Sequence, residues 1–281
     1  MKTFLDVVAA EKRAEIAERS AAVPEAALRE QLADAPQRAS FRNALMRGEG
    51  AAISLVTEVK AKAPGRENVA SLEPEAVVAD YLAGGAGAIS VLTDGKHFGG
   101  SLETLARVAA VTELPLLHKE FILEPYQLLE GRIRGASAAL ILAYYFSEAE
   151  LAAIIEAALA IGIEPVVECS LEDELPRTLA VKPDIILINN RPIAAIPADP
   201  TETYSRGDSA NAGLWWESHE GLRDWKAQGD RLLISASCVD SPADAEKIAA
   251  FPYDAILVGN AAMIADDRRA FVSSLRVGSA D

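Results

Sequence analysis

The chain has 281 residues, 50% of them hydrophobic, which is enough apolar material for a large buried core, as one big α/β domain or two small ones. Its formal net charge of −15 sets up a field that repels phosphate backbones and anionic lipid, so nucleic acid and membrane surfaces are excluded as default partners. An anionic small molecule would need a locally positive pocket.

Cys169 and Cys238 stand outside any CxxC or zinc-type spacing, and His97, His118 and His219 are scattered without metal-ligand spacing. The expectation is a protein of the reducing cytoplasm that holds no metal. The N-terminal stretch turns charged too early for a signal peptide, and no apolar run approaches membrane-spanning length.

Residues 1–46 read as helices, with Phe4, Leu5, Val7, Val8 and Ile16 near one face of the first and Pro24 opening an Ala-rich second. They form an N-terminal helical extension that precedes the main pattern and lies outside it. From Ser54 onward, β-branched runs alternate with amphipathic segments, and runs starting at Ser54, Ala88, Leu114, Ala138, Pro165, Ile185, Arg231 and Ala255 make eight strands. Ser147 and Glu150 form a capping box on a helix that stops at Gly162. Pro74, Pro125 and Pro242 sit at first-turn positions, and Gly84 and Gly135 at helix ends. Strands such as 139–143 and 184–188 are apolar on both faces, as parallel strands covered by helices must be. The pattern predicts a single α/β domain over 1–281, a (β/α)8 TIM barrel, whose usual size is about 250 residues. A doubly wound sheet is the alternative, but no GxGxxG follows the first strand. The connection 191–230 is longer than the others. It reads either as a lid over the mouth or as an insertion with Trp215 and Trp216 packed on the outer helices.

Side chains alternate along a strand, so Glu58 and Lys60 leave the first strand on the same side. Taken alone, that pair reads as an exposed ion pair. In a barrel, however, strand ends converge on one mouth, and they bring Lys119 from strand three, Glu168 from five, Asn189 and Arg191 from six. Lys60, Lys119 and Arg191 would make the mouth positive. A lysine crowded by cations and partly desolvated gives up its proton more readily, which makes Lys119 the candidate general acid. Glu168, across from it, is a candidate acid or base. Phosphate sites of this fold follow strands seven and eight, here Ser237, Cys238, Gly259 and Asn260.

Together these stretches resemble the indole-3-glycerol phosphate synthase family. The likeness runs along nearly the whole chain, through residues 57–64, 86–94, 98–102, 114–121, Tyr126-Gln127, Val167-Glu168 and 188–191. It implies ring closure of a carboxyphenylamino-deoxyribulose phosphate with loss of CO2 and water, on a small phosphorylated substrate, with no metal or organic cofactor. By the resemblance, Lys119 protonates the ketose carbonyl, and Glu168 and Lys60 serve the later dehydration. Glu58 and Asn189 orient the intermediate, Arg191 helps to position the substrate, and Phe98, Phe121, Pro64 and Leu140 line the pocket for the anthranilate ring. The departures fall on strand seven: the family pattern Ser-Glu-Ser-Gly-Ile is Ser235-Ala236-Ser237-Cys238-Val239 here. That leaves two rivals to the ordinary reaction, a paralogue acting on a different aryl-amino ketose and a non-catalytic binding barrel. Oligomeric state is not written in the sequence.

Overall fold

A computed structural model describes residues 3–62, 73–193, 196 and 207–278. Eight parallel strands form a closed barrel: β1 (Ser54–Val59), β2 (Ala88–Leu92), β3 (Leu116–Lys119), β4 (Ala138–Leu142), β5 (Glu164–Cys169), β6 (Ile185–Asn189), β7 (Leu232–Ala236) and β8 (Ala255–Val258). Each pairs with the next in sequence, and β1 closes on β8 through Ser54 opposite Ala255 and Thr57 opposite Val258. The starts expected at Leu114, Pro165 and Arg231 fall instead at Leu116, Glu164 and Leu232. Apolar flanks such as Leu114 pack against the core without joining the ladder, and hydrophobicity alone does not show where the ladder begins.

Both faces of the sheet are covered, which explains the unbroken apolar runs. Val56, Leu117, Leu140, Val166, Leu187 and Ile234 point inward and fill the barrel with a core of their own. Their neighbours Leu55, Leu116, Ile141, Val167, Ile186 and Leu233 point outward into the layer shared with the helices. The helix signals hold: Pro74, Pro125 and Pro242 occupy first-turn positions, and Ser147 with Glu150 forms the capping box of the helix Glu148–Ala160. Gly84 is the last helical residue of its segment, and it is Gly85, at φ 88°, that turns the chain.

The N-terminal helices α1 (Phe4–Ala22), α2 (Glu25–Gln31) and α3 (Phe41–Leu45) do not stand apart from the barrel. Leu5 and Val8 of α1 join the inner core beside Phe98 and Phe121, over the C-terminal ends of the strands. Leu28 of α2 packs on Tyr126 and Leu129 at the side. α3 reaches the opposite end, where Ser40 Oγ donates to Glu164 Oε1 at 2.6 Å and the Arg47 N–H donates to Asp254 Oδ1 at 3.4 Å. Residues before β1 thus run from the mouth to the floor.

Within the segment 191–230, the described residues form the helices Asn211–Ser218 and Glu220–Lys226. Trp215 is 8% exposed and packs in the outer layer with Trp216 against it. The Trp225 indole N–H donates to the Pro183 carbonyl at 2.8 Å. Of the two readings of this connection, the tryptophans fit the packed insertion; residues 194, 195 and 197–206 lie outside the described set.

His118 follows the outward parity of β3 and is fully enclosed. A Cβ at residue 131 would collide with its Nδ1, which is why a glycine faces it. Thr93 Oγ1 donates to Glu120 Oε2 at 2.7 Å, so at 3.0 Å it is the acceptor for the His118 Nε2–H. Burial pushes His118 down to about 3, helped by Arg134, Arg19 and Lys12, so the ring stays neutral. The unfolded chain takes that proton near pH 6.5 and the folded one only near 3. The folded state therefore loses stability as pH falls between those values. Chemical denaturation of His118→Gln from about pH 6.5 to 5, above most carboxylate titration, should show a shallower fall than the parent, by on the order of 1 kcal/mol per pH unit.

Candidate active site

Strand parity decides which polar side chains reach the mouth. On β1, Val56 faces inward, so Glu58 and, one step past the strand, Lys60 do so as well. The same parity brings in Lys119 after Leu117, Glu168 after Val166, Asn189 after Leu187, and Ala236 after Ile234. Five of these, Glu58, Lys60, Lys119, Glu168 and Asn189, have charged or amide side chains, and the fold places all five within one ring of strand ends.

Two ion pairs result. Lys60 Nζ lies 2.9 Å from Glu58 Oε1, with both side chains at most 10% exposed. Lys119 Nζ lies 3.5 Å from Glu168 Oε2, at the outer limit of a hydrogen bond. Asn189 Nδ2 donates to Glu168 Oε1 at 2.9 Å, and Asn189 Oδ1 accepts the Arg191 backbone N–H at 3.1 Å. One amide thereby sets both the rotamer of the carboxylate and the course of the chain into Arg191. Burial drives Glu58 up, yet Lys60, Lys119 and Arg191 outweigh it and hold the carboxyl below the usual range. Among the described residues Glu58 Oε2 has no hydrogen-bond partner, which leaves a buried acceptor on an ionised group.

Phe98 and Phe121 meet with ring centroids 6.0 Å apart and share the inner cluster with Leu140. Pro64, expected beside them, lies outside the described residues. The ends of β7 and β8 are neighbours through Ala236 opposite Leu257, which brings Ser237 and Cys238 next to Gly259 and Asn260. Ser237 and Cys238 both adopt left-handed backbone, at φ 69° and 60°, a conformation that costs a side-chain-bearing residue roughly 1–2 kcal/mol. Asn190 holds this turn from below: its Nδ2 donates to Ser235 Oγ at 3.0 Å and to the Ser237 carbonyl at 3.2 Å. Gly259, expected in the phosphate site, has a second use. A Cβ there would collide with Glu58 Oε1 and lie 2.9 Å from Lys60 Nζ, so the pair on β1 occupies the space that residue 259 leaves open.

A second polar cluster on the same side was missed in the sequence. Lys12 of α1, 2% exposed, lies 2.8 Å from Asp94 Oδ2 and 3.3 Å from Glu120 Oε1. The signal was present: Lys12 sits on the buried stripe of α1, one turn from Val8 and from Ile16. Among the described residues no three His, Cys, Asp or Glu side chains are grouped to hold a metal, and no helix is long and apolar enough to cross a membrane.

Fold and site together define a parallel eight-stranded barrel with an acid-base cluster of lysines and carboxylates at its C-terminal mouth. A family model described as indole-3-glycerol phosphate synthase matches residues 5–205. The indole-3-glycerol phosphate synthase of Streptomyces griseus is 35% identical over 274 residues, covering 97% of this chain and 94% of that protein. That of Azospirillum brasilense is 31% identical over 277 residues, covering 98% and 99%. A protein of Streptomyces coelicolor named indole-3-glycerol phosphate synthase 1 is 34% identical, covering 97% and 94%. The chain belongs to the indole-3-glycerol phosphate synthase family, whose general chemistry is that of a decarboxylating, ring-closing lyase.

The hold of Lys60 on Glu58 is directly measurable. Lys60→Met removes a charge that opposes burial, and Gly259→Ala displaces the pair, so in both variants the Glu58 carboxyl should titrate higher than in the parent. Carbon-13 NMR of the side-chain carboxyl reads this; an unmoved titration would show that the pair does not set the charge of Glu58.

Proposed function

We propose that the protein converts 1-(2-carboxyphenylamino)-1-deoxyribulose 5-phosphate to indole-3-glycerol phosphate, with loss of CO2 and water. The observation that carries the reading is the Lys119 ammonium beside Glu168, at 3.5 Å, on the same mouth as the Lys60–Glu58 pair. In this reading the protein is a (β/α)8 barrel with an N-terminal extension, acting in the cytoplasm on a small phosphorylated substrate.

The aryl carbon that bears the carboxylate attacks the ketose carbonyl, and Lys119 delivers a proton to the carbonyl oxygen as negative charge develops there. Departure of CO2 returns its bond electrons to the ring. The new hydroxyl then leaves as water, with Glu168 and Lys60 supplying and removing the protons, and the indole double bond forms. Glu58, through its unpartnered Oε2, accepts a hydrogen bond from the substrate, and Asn189 keeps Glu168 in place. Phe98, Phe121, Leu140 and Pro64 take the aromatic ring. Arg191 and the turns at Ser237, Cys238, Gly259 and Asn260 take the anionic end.

One feature favours a second reading. Ala236 puts only a methyl group opposite Asn189, so strand seven adds no carboxylate to face Lys60, Lys119 and Arg191. A more anionic or bulkier aryl-amino ketose suits that balance.

Mixing the protein with the carboxyphenylamino-deoxyribulose phosphate should produce growing indole fluorescence. Lys119→Ala should lower the rate by about 10²–10⁴-fold, the usual contribution of a positioned proton donor. A flat trace at high protein concentration refutes the assignment. If the second reading holds, Ala236→Glu with Cys238→Gly raises the rate on this substrate above that of the parent.

A further inference from the structure

We propose that Lys12, from outside the strand-end cluster, is a positioning residue for the aryl pocket: one buried ammonium holds the two carboxylates that fix the backbone of Phe98 and Phe121. Asp94 meets Lys12 with Oδ2 at 2.8 Å. Its Oδ1 accepts the N–H groups of His97 at 2.6 Å and Phe98 at 3.1 Å, which starts the short helix Gly95–Phe98. Glu120 meets Lys12 with Oε1 at 3.3 Å, and the same oxygen accepts the Phe121 N–H at 2.8 Å. Each carboxylate is thus a clamp between Lys12 and one aromatic wall.

The charges explain why the clamp needs the lysine. Asp94 is fully enclosed and Glu120 is 7% exposed, so neither is screened by water. Without an ammonium between them, two buried carboxylates on adjacent loops repel each other, and burial already drives Glu120 up. They would separate, and the amides they hold would move with them. Lys12 has an anchor of its own, since Glu15 Oε2 lies 2.8 Å from its Nζ and Leu5, Val8 and Ile16 seat the helix. Phe4 of the same helix touches the Phe121 ring edge-on at 6.3 Å. α1 therefore sets the spacing of the aromatic walls by charge from one residue and by packing from others.

The inference rests on the proposed reaction for its kinetic consequence only. Lys12→Met should raise KM for the carboxyphenylamino-deoxyribulose phosphate about 10-fold, with kcat within roughly 3-fold, while Lys12→Arg restores most of the loss. Independently of turnover, amide hydrogen exchange at Phe98 and Phe121 should speed up about 10-fold in Lys12→Met, with exchange at the Ser147 capping box unchanged. Unchanged exchange at both amides in the folded variant overturns the proposal, and so does a lower melting temperature with KM unaltered. Should Lys12→Met fail to fold, Glu120→Gln keeps the shape and weakens the charge, and faster Phe121 exchange is the expected result. A wild-type protein that forms no indole refutes the proposed reaction, whereas the exchange measurement still decides the role of Lys12.

Discussion

Closure of the sheet is the constraint on which the rest depends. Once β1 pairs with β8, every strand has two neighbours and no edge, and the alternation of side chains assigns each residue to the interior or to the helix layer. At the C-terminal ends the interior set comprises Glu58, Lys60, Lys119, Glu168 and Asn189. A slip of one residue in β1, β3, β5 or β6 would turn these polar side chains into the outer apolar layer. The apolar inner core that makes closure favourable is also what aims the chemistry.

Charge is distributed unevenly to match. The chain carries −15 overall, yet the mouth concentrates Lys60, Lys119 and Arg191 around two carboxylates. Burial would neutralise an isolated glutamate, and it is the surrounding cations that keep Glu58 ionised. The Lys12 cluster differs in outcome: one enclosed ammonium faces two enclosed carboxylates, and burial there still drives Glu120 up. In the Lys119–Glu168 pair and in the Lys12 cluster the cation and the carboxylates come from different segments, so there the charge pairing forms only with the fold.

Much of this was legible along the chain. The eight apolar runs, their helix caps and the polar residues at the run ends are local patterns, and they led to the barrel and to Lys119 and Glu168. Less legible was anything that needs a partner from a distant segment. His118 and Lys119 are sequence neighbours at one strand end, yet parity sends the first into the outer layer and the second to the mouth. Gly259 belongs to the expected phosphate site, and its missing side chain also makes room for Glu58 and Lys60. Lys12 lies on the buried stripe of α1, but its partners Asp94 and Glu120 come from loops that only the fold brings to it.

The sequence by itself determined the repeat, the strand count and the residue types at each strand end, because hydrophobic periodicity, caps and turns act over a few residues. The tertiary structure alone decided which of those side chains meet: Asn189 with Glu168, Glu58 with the space at Gly259, and α1 with the aromatic walls. Such pairings join segments tens to hundreds of residues apart and depend on register, closure and burial, which no local pattern records. Even so, the match of family and fold came from the local patterns, since those are what bring the chain to the barrel in the first place.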